Sequence, residues 1–69
     1  MFTAFGMRVK ELREEKGLTR KELAAVFDLK QNAVYEWEVR GKQTDYQTLC
    51  DVADFFQVSL DYLLGREVN

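Results

Sequence analysis

The stretch TRKELAAVFDLKQNAVYEWE, residues 19–38, decides the fold because it contains two predicted helices with a very short connection. Thr19 and Glu22 form a capping box, in which the hydroxyl and the carboxylate each accept a hydrogen bond from an otherwise unpaired amide. The apolar residues that follow recur at helical spacing, and this helix is predicted to end near Asp28. The next predicted helix spans residues 31–38.

The connection between these two helices is predicted to be about three residues long, from Asp28 to Lys30. So short a link forces two helices to cross steeply, which is the geometry of a helix-turn-helix. The first residue of such a turn often needs a positive φ. Aspartate is among the few side chains that tolerate this conformation, so Asp28 is compatible with the turn.

The rest of the chain also has helical spacing, and no segment alternates with the period of a strand. Helix one is predicted over residues 5–16, and Gly17 ends it. Thr44 opens helix four with a second capping box through Gln47, and Ser59 caps a short fifth helix. The predicted inward residues are Phe5, Val9, Leu12, Lys16, Leu23, Ala24, Phe27, Val34, Trp37, Leu49, Val52, Ala53, Phe56, Leu60, Leu63 and Leu64. We therefore predict an all-α fold, a compact bundle of five short helices in a single domain (residues 1–69, core about 5–65).

The composition excludes several classes of function. The chain has 69 residues, no histidine and one cysteine, so it offers no Ser-His or Cys-His nucleophile pair, and neither imidazole nor paired-thiolate zinc ligands. We expect no enzyme activity, no metal and no cofactor. The longest apolar run, residues 23–27, is far shorter than a membrane span, and no secretory signal is visible. These features predict a cytoplasmic protein that does not bind membranes.

The net charge of −2 argues against a nucleic-acid partner, but the charge is unevenly distributed. Residues 1–42 contain nine Lys/Arg against seven Asp/Glu, whereas residues 43–69 contain one against five. The part that contains the two-helix motif is therefore slightly basic. This distribution allows a positive field near that motif.

Over residues 5–65 the chain resembles the Cro and lambda-repressor (Xre-type) helix-turn-helix family. The resemblance is carried, in order, by RVKELREEKGLT (8–19), ELA (22–24), AVYEWE (33–38), TL (48–49), ADFF (53–56) and VSLDYLLG (58–65). It implies a lambda-repressor-like DNA-binding domain of a bacterial or phage regulator that binds double-stranded DNA, at a pseudo-palindromic operator, as a homodimer. The chain departs from the family pattern at four positions. Asp28 and Arg40 lie where the family usually has glycine. Lys30 replaces a serine or threonine, and Thr44 replaces a proline.

The helix predicted over residues 31–38 is the third along the chain. Its face opposite Val34 and Trp37 is predicted to read bases. It carries Gln31, Asn32, Tyr35, Glu36 and Val39. Amide side chains can bind adenine through two hydrogen bonds, and a carboxylate can accept one from the cytosine amino group. The resemblance places base contacts at Gln31, Asn32 and Glu36, and Tyr35 flanks them. The alternative is a set of ordinary exposed polar residues.

Four cations bracket this helix and are candidates for phosphate contacts: Arg20, Lys30, Arg40 and Lys42. The resemblance implies the contact for Arg20. Each of the four could instead be an ordinary solubilising charge. The resemblance also pairs Arg13 with Glu38 in a partly buried salt bridge, which we interpret as structural.

The predicted function is a sequence-specific DNA-binding transcriptional regulator, a repressor that acts by occupying half-sites about 34–36 Å apart. No small-molecule effector site is evident. The alternative is a protein-interaction module, an antirepressor or adaptor, that keeps the fold without binding DNA. Four apolar residues could form a dimer patch, belong to the core or be exposed incidentally: Phe2, Phe55, Tyr62 and Leu64.

Overall fold

The computed structural model describes residues 3–66 and contains five α-helices and no strand within that range. They are α1 (Ala4–Glu15), α2 (Arg20–Val26), α3 (Ala33–Glu38), α4 (Tyr46–Phe56) and α5 (Leu60–Leu63). Helix α1 packs against α3 and α5, α2 packs against α3, and α4 packs against α5. The all-helical, five-helix prediction is confirmed. None of the five helices is long and apolar enough to cross a membrane.

One hydrophobic core joins the five helices, and all ten of its buried apolar residues were predicted from the spacing. They are Phe5, Val9, Leu23, Ala24, Val34, Trp37, Val52, Ala53, Phe56 and Leu63. The prediction that Lys16 faces inward was wrong, because this C-cap residue of α1 is exposed and its charged end favours solvent. Its ammonium group lies 5.3 Å from the centre of the Phe55 ring instead.

Side-chain caps explain where most of the helices begin. The Thr19 capping box is present, since its hydroxyl accepts from the Glu22 amide and the Glu22 carboxylate accepts from the Thr19 amide. Ser59 caps α5 as predicted, by accepting from the amide of Tyr62. The prediction for Thr44 was wrong, because the N-cap of α4 is Asp45.

The displaced start of α4 has a local cause. The Thr44 hydroxyl donates to the Asp45 carboxylate at 3.3 Å, and the Gln47 amide donates to Asp51 at 3.0 Å, so neither side chain is used for the predicted capping box. The pKa of the Asp45 carboxyl is lowered, chiefly by a hydrogen bond from the Thr48 hydroxyl.

The connection between α2 and α3 covers residues 27–32 and is longer than the three residues predicted. Asp28 has the expected positive φ, at 55°. The Lys30 carbonyl accepts from the Ala33 amide at 2.9 Å, so a hydrogen-bonded turn precedes α3. Gln31 and Asn32 lie in this turn and not on the helix, and the Asn32 side chain makes no capping bond.

Two glycines allow close contacts between distant parts of the chain. A Cβ atom on Gly6 would lie 2.2 Å from the Trp37 carbonyl oxygen, so glycine lets α1 approach the backbone of α3. Gly65 has a φ of 75° and lies against Ala4. A Cβ atom added to Gly65 would lie only 2.4 Å from the Cβ atom of Ala4. The start of α1 therefore meets the end of α5.

Three of the four apolar residues considered for a dimer patch lie within the described residues, and all three are partly buried. Phe55 and Leu64 pack against the core, and Tyr62 lies under the guanidinium of Arg8 at 4.6 Å. Phe2 lies outside the described residues. The exposed large apolar side chains of residues 3–66 are Met7, Val26, Tyr35 and Tyr46.

Candidate nucleic-acid interface

The position of α3 is fixed by a buried ion pair between Arg13 and Glu38. The Arg13 Nε atom lies 2.7 Å from Glu38 Oε2, and one of its terminal nitrogens lies 3.0 Å from Glu38 Oε1. The other terminal nitrogen donates to the Leu18 carbonyl at 2.8 Å. The hydrogen bond to Glu38 raises the pKa of the Arg13 guanidinium, while burial opposes this rise. The pair joins α1 to the end of α3 with two parallel hydrogen bonds.

Arg20 also contacts Glu38, and this contact was not predicted. Its Nε atom lies 3.0 Å from Glu38 Oε1, and its guanidinium lies 5.4 Å from the centre of the Tyr35 ring. The two bonded residues are 18 positions apart, so linear spacing gives no signal for the contact. The Arg20 side chain thus holds α2 against α3 and remains 38% exposed.

The residues predicted to read bases lie at the start and on the outer side of α3. Gln31 and Asn32 are exposed in the turn that precedes it, and Tyr35 is exposed on its first turn. Glu36 was predicted to point away from the core, but it is half-buried, whereas the other three are exposed. Two exposed amides, an exposed phenol and a half-buried carboxylate can offer both donors and acceptors to the edges of base pairs.

The remaining candidate cations lie on both sides of this polar set. Lys30 is exposed in the turn before α3, and Arg40 and Lys42 are exposed in the segment after it. Both later cations pair with one oxygen of Glu36, Lys42 Nζ at 3.2 Å and Arg40 Nε at 3.6 Å. The Glu36–Arg40 pair has the favourable i,i+4 order, a signal that sequence reasoning could have used.

No group of three or more His, Cys, Asp or Glu side chains suited to a metal ion occurs among residues 3–66. Cys50 is half-buried on α4, and its thiol raises the pKa of the Tyr46 phenol through a hydrogen bond. The exposed side chains described around α3 offer hydrogen-bond donors, hydrogen-bond acceptors and charges.

Comparison with known proteins also identifies a helix-turn-helix motif in this chain. The family model described as helix-turn-helix matches residues 9–63. The uncharacterized HTH-type transcriptional regulator YqaE of Bacillus subtilis is 34% identical over 65 residues, which are 94% of this chain and 56% of that protein. The HTH-type transcriptional regulator ImmR of the same organism is 34% identical over 64 residues, 93% of this chain and 50% of that protein.

A more distant relative is the HTH-type transcriptional activator BcrR of Enterococcus faecalis, 30% identical over 63 residues, 91% of this chain and 31% of that protein. The chain spans about half the length of the first two relatives. The family match includes α2, the turn, α3 and most of the core residues. The protein belongs to the helix-turn-helix family, of the Xre type.

Proposed function

We propose that this protein is a sequence-specific double-stranded DNA-binding transcriptional regulator that acts in the bacterial cytoplasm as a homodimer. One observation carries the proposal: an exposed polar set at the start of α3 is flanked by exposed cations within a helix-turn-helix. The similarity to proteins named as HTH-type transcriptional regulators supports it. Regulation follows from occupancy of the DNA site, without catalysis.

In the proposed complex, α3 and the turn before it enter the major groove. Gln31 and Asn32 bind base edges through their amides, Glu36 accepts from a cytosine amino group, and Tyr35 lies beside them. Phosphates are contacted by Lys30, Arg40 and Lys42, and by the accessible part of Arg20. The Arg13–Glu38 pair has no contact with DNA and holds α3 in place.

Selection from a pool of random duplexes, followed by binding measurements over a range of salt, tests this proposal. We expect enrichment of a defined sequence and a linear fall of log affinity with log salt. Asn32→Ala should relax the selected sequence at one position in each half-site and cost roughly 1–3 kcal/mol of binding free energy. Gln47→Ala is the matched control, because it removes an exposed amide from α4.

Separate experiments test whether the protein binds as a dimer and whether it represses transcription. A homodimer predicts that the selected sequences contain two related half-sites centred about 34–36 Å apart. We propose repression, so a reporter promoter that overlaps the selected site should lose activity when the protein is expressed. Failure to enrich any duplex even at low salt would instead favour a protein-interaction module with this fold.

A further inference from the structure

The segment after α3 folds back around one residue, Glu36. The Glu36 carbonyl accepts hydrogen bonds from the amides of Arg40 and Lys42, at 3.2 and 3.0 Å. The Glu36 carboxylate pairs with the side chains of the same two residues. Backbone and side chain therefore hold the two cations close to the face of α3 that is proposed to read bases.

These ion pairs join groups of unequal accessibility. The side chains of Arg40 and Lys42 are 61% and 63% exposed, whereas that of Glu36 is 28% exposed. Ion pairs with such exposed cations contribute little to stability, so another anion can replace the carboxylate at small cost. A DNA phosphate is an anion of this kind, and it needs the same N–H donors.

We propose that Glu36 restrains non-specific DNA binding by competing with phosphates for Arg40 and Lys42. The proposal rests on the DNA binding proposed above. On a random sequence, one of the two cations stays paired with the carboxylate, which would otherwise lie unpaired next to the negative DNA backbone. The loss of this phosphate contact lowers the affinity for DNA that offers Glu36 no partner.

A correct site differs from random DNA in this respect. Where a cytosine amino group faces Glu36, the carboxylate gains a donor and releases the cations to the backbone. The same residue then weakens binding to wrong sequences and permits full phosphate contact at the right one. The ratio of the affinity for the correct site to the affinity for random DNA is therefore larger than the Glu36–cytosine hydrogen bond alone would produce.

The test measures the affinity of Glu36→Gln for a random duplex that lacks the selected sequence. Glutamine keeps the size of the side chain and the backbone hydrogen bonds but removes the charge. We expect affinity at 0.1 M salt to rise roughly fivefold to tenfold, and the salt slope to steepen by about one, because one more cation engages phosphate. The affinity ratio of selected to random duplex should fall.

A matched control separates this mechanism from a simple change of net charge. Asp28→Asn removes one exposed carboxylate from the turn before α3, and asparagine tolerates the positive φ at that position. Both substitutions are then repeated in a protein that carries Arg40→Gln and Lys42→Gln. The Glu36→Gln gain should shrink to less than about twofold there, whereas the Asp28→Asn effect should be the same in both backgrounds.

Two results would overturn the inference. One is an unchanged or lower affinity of Glu36→Gln for random DNA. The other is an equal gain with and without the two cations, which would mean that only net charge matters. In both cases the wild-type protein still binds its selected duplex, so the proposed function survives. Absence of any binding by the wild-type protein would overturn the proposed function as well.

Discussion

Glu38 is the residue on which the arrangement of the first three helices depends. It lies on α3, and its two carboxylate oxygens bond Arg13 of α1 and Arg20 of α2. Only 3% of Glu38 and 8% of Arg13 are exposed. A buried charge is costly unless it is paired and hydrogen-bonded, so each partner depends on the others.

Replacement of Glu38 by glutamine is expected to lower the free energy of unfolding by about 3–5 kcal/mol. The amide cannot neutralise the guanidinium of Arg13, which stays buried and poorly compensated. Urea denaturation followed by circular dichroism measures the loss. A protein of this length has only about 3–10 kcal/mol of stability, so failure to fold at 25 °C agrees with the prediction.

Two further variants establish that burial is responsible. Glu15→Gln removes an exposed carboxylate from α1 and should change the unfolding free energy by less than about 0.5 kcal/mol. The double variant Arg13→Met, Glu38→Leu should recover part of the loss, because apolar side chains can replace a buried ion pair. A loss below about 1 kcal/mol for Glu38→Gln would contradict the structural role.

Gly6→Ala is expected to destabilise the protein, by roughly 1–3 kcal/mol, although alanine favours helix formation. The reason is the short distance between the new Cβ atom and the Trp37 carbonyl, which forces α1 away from α3. Thermal unfolding measures the effect, and Gly6→Val should be worse. An increase in melting temperature for Gly6→Ala would show that the two helices separate without cost.

At the level of the elements, the two threonines predicted to cap helices should behave differently. Thr19→Ala removes the hydroxyl of a complete capping box and is expected to cost about 1 kcal/mol, or roughly 4–8 °C in melting temperature. Thr44→Ala should change stability by less than about 0.5 kcal/mol, because Asp45 is the N-cap of α4. Equal losses for both variants would contradict this assignment, and Thr19→Ser should retain most of the stability.

Helix existence and the buried faces could be predicted because they depend on local spacing. The 3.6-residue period placed every buried apolar residue of the described core on the correct face. The start of α3 could not be predicted in the same way. It depends on a turn hydrogen bond from the Ala33 amide to the Lys30 carbonyl, and neither residue type specifies that bond.

The candidate site was predictable in composition and less so in its internal contacts. Exposure of Tyr35 follows from its position on α3 relative to the buried Val34 and Trp37, whereas Gln31 and Asn32 are exposed in the turn before the helix. The contact between Arg20 and Glu38 depends on how α2 packs against α3, which single-sequence spacing does not describe. The attachment of Lys42 to Glu36 likewise depends on the path of the chain after α3.

On the scale of the whole molecule, a single core contacts all five helices, and this predicts cooperative unfolding. Trp37, the one tryptophan, is 3% exposed, and its ring centre lies 5.2 Å from that of Phe5. Its fluorescence therefore reports on the centre of the bundle. We expect the urea transitions followed by tryptophan fluorescence and by far-ultraviolet circular dichroism to coincide.

The alternative is a stepwise transition. Loss of helical signal at lower urea, with Trp37 fluorescence unchanged, would mean that α4 and α5 unfold before the first three helices. Such a result would contradict the prediction of one cooperative unit. It would also separate the acidic part of the chain, residues 43–69, from the part that carries the proposed DNA contacts.

The contact of Gly65 with Ala4 makes the path of the described chain almost a closed ring. A linker of a few residues from Arg66 to Thr3 would complete that ring, and the chain could then be opened between Gln43 and Thr44. In this circular permutant the order of the helices becomes α4, α5, α1, α2 and α3, while every packed pair is retained. Folding of the permutant would then depend on the contacts between helices and not on their order along the polypeptide.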